Sequence, residues 1–184
     1  MSRIAKVDPA QATGRPKELL DKVQAALGAT PNMTTTMASS AVLEGWLGLL
    51  GALSGGSIKN DVAERIALGV AQANECSYCL SAHTYLGTNV AKLGAEEIER
   101  ARRFSSANSR VAATLRFAET VLAGRGAVSQ ADFDAARAAG LSDTELAETV
   151  GHVALNVLTN YFNRAFAVEV DFPVVEAGPQ ALAA

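Results

Sequence analysis

Apolar residues recur at three- and four-residue intervals along most of the chain, the spacing of amphipathic helices. Leu19, Leu20, Val23 and Leu27 share one face and predict a first helix over 17–27, closed by Gly28. A second is predicted over 37–53, ended by Ser54-Gly55-Gly56. A third covers 58–74, with Val62, Ile66 and Val70 in helical register. A fourth runs from Cys76 to Lys92 and stops at Gly94. Shorter helices are predicted over 95–103, 109–122 and 129–140. The eighth has the clearest start, because Ser142-Asp143-Thr144-Glu145 is a capping-box pattern. It is expected to reach about Val168.

Composition supports an all-α reading. Alanine, the best helix former, supplies 36 of 184 residues, and β-branched runs are absent. The five prolines lie at 9, 16, 31, 173 and 179, so none interrupts the interval from Asn32 to Phe172. The predicted fold is a helical bundle of about eight helices, with no repeat or internal linker. With 49% hydrophobic and 19% charged residues, the chain has ample core material and is not intrinsically disordered. A net charge of −3 without a basic cluster makes nucleic acid an unexpected partner. No signal-peptide-like run opens the sequence. The most apolar stretch, Ala41 to Leu53, is broken by Glu44 and three glycines. A bilayer needs about 20 apolar residues, so no membrane association is expected and the expected location is cytoplasmic.

The reactive chemistry gathers in one place. Both cysteines, Cys76 and Cys79, and one of the two histidines, His83, fall within eight residues. On a helix they stand at i, i+3 and i+7 and form one stripe. In a cytoplasmic protein such a pair is redox-active or metal-binding more often than structural. Free amides at a helix N-terminus favour a thiolate, and the thiolate is the nucleophile. By this argument alone Cys76, the more N-terminal sulfur, should have the lower pKa. His83 stands four residues after Cys79 and can exchange a proton with it. If the third and fourth helices form an antiparallel hairpin, Glu64 comes level with His83. Asp61 and Glu75 are less well placed. Zinc would need a fourth ligand beside Cys76, Cys79 and His83, drawn from His152 or Glu64. The expectation is no metal and no cofactor.

A second pattern lies on the last helix. His152, Asn156, Asn160 and Asn163 stand at i, i+4, i+8 and i+11 among apolar residues. The favoured reading is an exposed or subunit-facing polar face. The alternative is a polar wall that lines the thiol pocket or binds its reductant, with Tyr78 as a further pocket residue. Trp46 and the leucines at 47, 49 and 50 read as core or subunit interface.

Glu64, eleven residues, Cys76-x-x-Cys79, three residues and His83 together resemble the alkylhydroperoxidase D-like (AhpD-like) branch of the carboxymuconolactone decarboxylase family. Pro31-Asn32-Met33, Ile66-Ala67-Leu68, Ala82-His83-Thr84 and Asn160-Tyr161-Phe162-Asn163 extend the resemblance. It covers residues 31–173 as the domain, with an N-terminal extension of 1–30 carrying one helix and a C-terminal tail of 174–184 whose end is expected to be mobile. The resemblance implies an all-α thiol peroxidase with the cysteine pair at the start of a central helix. It implies that Cys79 attacks a hydroperoxide and becomes a sulfenic acid, which Cys76 resolves as a disulfide. Glu64 and His83 would form the proton relay. The implied partners are a hydroperoxide, an external dithiol reductant (thioredoxin-like or a lipoyl protein) and further copies of the chain, as a trimer or dimer-based hexamer. Some members carry a relay histidine between the cysteines, where this sequence has Tyr78. The intact cysteine pair argues against decarboxylation. A dithiol–disulfide oxidoreductase or a non-enzymatic redox sensor would use the same pair.

Overall fold

The computed structural model of the protein describes residues 2–179. Among them the chain forms nine α-helices and no strand. These are α1 (Gly14–Leu27), α2 (Asn32–Met37), α3 (Ala41–Ser54), α4 (Asn60–Ala73), α5 (Ser77–Asn89), α6 (Ala95–Ala101), α7 (Ser109–Ala123), α8 (Gln130–Ala138) and α9 (Asp143–Ala165). The bundle is all-α, as the sequence predicts.

The additional helix is α2, which lies before and partly overlaps the start expected at 37. Thr34, Thr35 and Thr36 turn their hydroxyls back onto the Pro31 and Asn32 carbonyls. Such back-bonding competes with helix continuation. Ser40 then caps a new start by accepting from the Val42 amide. Helix α1 begins three residues before the predicted Lys17, because Pro16 sits in its first turn, where an amide has no helical partner. Helix α9 stops at Ala165, short of Val168: Ala167 adopts φ 48°, and the Val168 amide donates to the Asn163 carbonyl at 3.0 Å.

Helix α4 is the centre of the molecule and buries two faces. Leu68 and Ala71 join Leu20, Met37, Trp46 and Leu80 in one apolar cluster. Ile66 and Val70 join Phe104, Leu115, Phe117 and Leu146 in another. Gly69 lets the Phe104 ring lie against α4, since a Cβ there would stand 2.6 Å from the ring. Helix α4 packs on α5 as a hairpin and also on α9, α7 and α6.

Both chain ends join the bundle. Leu19, Leu20 and Val23 of the N-terminal extension are buried in the same cluster as the cysteines. After α9, the segment 171–178 crosses α5 as an irregular strap. The Val175 amide donates to Ser81 Oγ at 2.8 Å, and the Ala177 amide donates to Ser77 Oγ at 3.1 Å. Gln72 Nε2 donates to the Gly178 carbonyl at 2.6 Å. The end of the tail, where mobility was expected, lies outside the described residues. Among the described residues no helix is long and apolar enough to cross a membrane.

Candidate active site

The turn between α4 and α5 builds the site. Asn74 closes α4, Glu75 follows with φ 51°, and two reverse bonds tie the turn down. The Cys76 amide donates to the Ala71 carbonyl at 2.9 Å, and the Glu75 amide donates to Gln72 at 3.0 Å. This is a Schellman closure with a non-glycine residue in the left-handed position, a conformation that costs an L-residue about 1 kcal/mol. Cys76 therefore serves two helices. It follows the C-terminal closure of α4, and its sulfur is the N-cap of α5.

The two sulfurs are buried, at 1% and 2% exposure, and are free thiols. Cys76 Sγ accepts from the Cys79 amide at 3.3 Å and donates its own proton to Cys79 Sγ at 2.6 Å. That donated bond, with burial, pushes the Cys76 pKa far up. Burial also raises Cys79, but the bonds from Cys76 and Asn163 and the nearby His83 outweigh it and pull Cys79 down to about 7. Asn163 Nδ2 donates to Cys79 Sγ at 3.2 Å. The helix-start argument, which favoured Cys76, is thus reversed in this geometry. One amide reaches Cys76, whereas several donors converge on Cys79.

Glu64 and His83 meet across the α4–α5 hairpin. His83 Nδ1 lies 2.9 Å from Glu64 Oε2, with side chains 22% and 14% exposed. Burial pulls the His83 pKa down, but the Glu64 carboxylate raises it further, so the net direction is up. The other two carboxylates considered turn elsewhere. Asp61 pairs with Arg65 at 2.7 Å, and Glu75 stands 3.6 Å from Arg164.

The polar stripe of α9 corrects the sequence reading, which favoured an outer face. His152, Asn156, Asn160 and Asn163 are all buried, between 0% and 5% exposed. Asn163 reaches the sulfur, and Asn160 Oδ1 accepts from Asn74 Nδ2 at 3.0 Å. Asn156 Nδ2 donates to the His152 carbonyl one turn earlier, at 2.9 Å. Burial lowers the His152 pKa. Tyr78 is buried, but its hydroxyl is engaged away from the sulfurs. It accepts from the Met33 amide at 3.1 Å and donates to Asp171 Oδ1 at 2.8 Å. Among the described residues no three His, Cys, Asp or Glu side chains converge as a metal site.

Residues 40–123 match the model of the carboxymuconolactone decarboxylase family. The fold is shared more widely. A structure described as an alkylhydroperoxidase AhpD core, an uncharacterized peroxidase-related protein from Ralstonia eutropha JMP134, superposes with a TM-score of 0.82 at 23% identity, over 92% of each chain. The family match is confined to that segment, and the fold around it is AhpD-like. A peroxidase-related protein from Silicibacter sp. TM1040 gives a TM-score of 0.75 at 22% identity, over 89% of this chain and 90% of that one. A Cys-to-Ala variant of the debrominase Bmp8, in complex with 2,3,4-tribromopyrrole, gives 0.73 at 19% identity, over 93% and 94%. No curated protein matches the chain. In this AhpD-like fold the cysteine pair stands at the start of α5, the second arm of the central hairpin.

Proposed function

We propose that this protein is a thiol peroxidase that reduces hydrogen peroxide or an organic hydroperoxide at Cys79. The observation that carries the reading is the asymmetry of two buried sulfurs 2.6 Å apart, one a donor and the other an acceptor. With its pKa pulled down to about 7, Cys79 is partly thiolate at neutral pH, and the thiolate is the attacking form. It attacks one peroxide oxygen, the O–O bond breaks, and Cys79 becomes a sulfenic acid. The departing hydroxide or alkoxide takes a proton from the His83–Glu64 pair. The charge that held the Cys76 proton is then gone. Cys76 loses that proton, attacks the sulfenic sulfur and expels water, which leaves a disulfide.

An external dithiol returns the pair to two thiols, and the dithiol becomes a disulfide in turn. No metal or cofactor enters any step. The near-complete burial of both sulfurs favours a small oxidant over a protein disulfide as the first reactant. The reading carries a homo-oligomer as well, a trimer or dimer-based hexamer. Val150, Leu158 and Tyr161 lie exposed on the outer face of α9 and suit such an interface.

Trapping tests the order of the sulfurs. Cys76→Ser treated with peroxide is expected to hold a sulfenic acid at Cys79, captured by a dimedone-type reagent and located by mass spectrometry. A trapped adduct at neither sulfur would remove the assignment.

A further inference from the structure

Three side-chain atoms on the buried face of α9 find no hydrogen-bond partner: His152 Nε2, Asn160 Nδ2 and Asn163 Oδ1. Buried polar atoms are paired in the great majority of cases, and an unpaired one costs about 1–3 kcal/mol. Two of the three belong to the amides beside Cys79. Asn163 uses its Nδ2 on the sulfur and leaves its Oδ1 over. Asn160 uses its Oδ1 on Asn74 and leaves its Nδ2 over. Asn160 also acts on the Cys79 sulfur, though Nδ2 makes no well-formed bond to it. One acceptor and one donor without a well-formed hydrogen bond therefore stand beside a nucleophilic sulfur, both on side chains at most 3% exposed.

We infer that Asn160 and Asn163 form a hydroperoxide-binding cradle, in which Asn163 holds the Cys79 sulfur and the two unpaired amide atoms hold the substrate. The chemistry of a hydroperoxide matches that pair of atoms. Its O–H donates to Asn163 Oδ1. Its other oxygen, which gains negative charge as the O–O bond breaks, accepts from Asn160 Nδ2. The sulfur gives an electron pair to the attacked oxygen, which keeps its proton and becomes the sulfenic hydroxyl. The second oxygen leaves as hydroxide or alkoxide, stabilised by the Asn160 donor until the His83–Glu64 pair protonates it. A preorganised donor aimed at developing charge is the device of an oxyanion hole. Tyr78, the residue between the cysteines, takes no part in the cradle, because its hydroxyl is engaged by Met33 and Asp171.

This inference rests on the peroxidase reading, and two reagents separate them. Iodoacetamide reports the thiolate without offering an O–H, and hydrogen peroxide reports the thiolate and the cradle together. The charged groups around the sulfurs are His83 on α5, Glu64 on α4 behind it and Arg164 on α9, and all are kept in every variant. Asn163→Asp replaces the donor with a carboxylate of the same shape. Iodoacetamide should then modify Cys79 about 10-fold more slowly near neutral pH, with the midpoint moved up by about one pH unit. Asn163→Ser serves if the charged variant does not fold. Asn160→Asp keeps the acceptor for Asn74 and removes the free donor, and Asn160→Ala removes both.

In both Asn160 variants, at a pH where Cys79 is fully ionised, the peroxide rate should fall about 100-fold while the iodoacetamide rate holds. Equal loss with both reagents would reduce Asn160 to a structural residue and overturn the cradle. An unchanged peroxide rate would do the same. Wild-type protein that reacts with peroxide no faster than a free thiol would end the peroxidase reading and the substrate half of the cradle. The iodoacetamide profile of Asn163→Asp would still decide the sulfur half.

Discussion

Two helix starts in this molecule do the same local job with different atoms. Helix α9 begins at Ser142, whose Oγ accepts from the Glu145 amide at 3.2 Å, while the Glu145 carboxylate accepts from the Ser142 amide at 2.8 Å. Arg110 holds the same carboxylate at 2.8 Å, and the arrangement lies at the surface, with Ser142 exposed and Glu145 half-buried. Every group in it has a partner, and its role ends with stability. Helix α5 begins at Cys76, where a buried sulfur accepts a single amide at 3.3 Å. Its thiol donates to a second sulfur at 2.6 Å. The oxygen cap is the better hydrogen-bond acceptor. The sulfur cap is the weaker support for a helix and the stronger chemical device, and the Schellman turn before it supplies the rigidity that the cap lacks.

The largest effect that sharpens this comparison is at the second sulfur. Cys79→Ser should abolish peroxide-dependent oxidation, a loss of at least ~1000-fold, with the far-UV circular dichroism unchanged. Residual peroxide consumption at Cys76 would mean that the capping sulfur is the nucleophile. Glu64→Gln comes next. Without the carboxylate the His83 pKa falls, so the cation beside Cys79 is lost at a lower pH. The Cys79 midpoint should then rise from about 7, and the limb of the rate profile should move to higher pH. The rate at neutral pH should fall about 10-fold. An unmoved pH profile would take Glu64 out of the relay.

Cys76→Ser probes the cap itself. Serine is a good N-cap, so the melting temperature should stay within a few degrees while resolution of the sulfenic acid stops. A collapse in stability would show that the sulfur is needed for the fold. The smallest effect belongs to the other helix start. Ser142→Ala should cost about 1 kcal/mol in urea unfolding and leave the alkylation profile of Cys79 where it was.

The sequence made one of these regions far more legible than the other. Local rules found the capping box at Ser142 and the helices with regular apolar spacing. Fixed spacing also brought Glu64 level with His83, because a hairpin of two helices converts sequence distance into height. The face of α9 resisted the same reasoning. Its buried stripe is His152, Asn156, Asn160 and Asn163, whereas Val150, Leu158 and Tyr161, about 200° around the helix, are exposed. Periodicity shows which residues share a face. It does not show which face a neighbouring helix covers, and here the polar one is turned inward onto the sulfur. The even asparagine spacing on an apolar helix was the available signal. Tyr78 was opaque for a different reason, since its partner Asp171 lies 93 residues away and no local pattern announces the contact. Helix α2 escaped because three adjacent threonines are weak helix formers.

The central claim is that a neutral-pH thiolate at Cys79 reduces peroxide and is resolved by its neighbour. Stopped-flow mixing of the reduced protein with hydrogen peroxide and with cumene hydroperoxide, with free thiols counted over time, tests it most directly. The account predicts fast loss of both thiols for one peroxide consumed, with a rate that climbs as pH passes about 7. Slow loss, at the pace of an ordinary free thiol and with a midpoint near ~8.5, would contradict it.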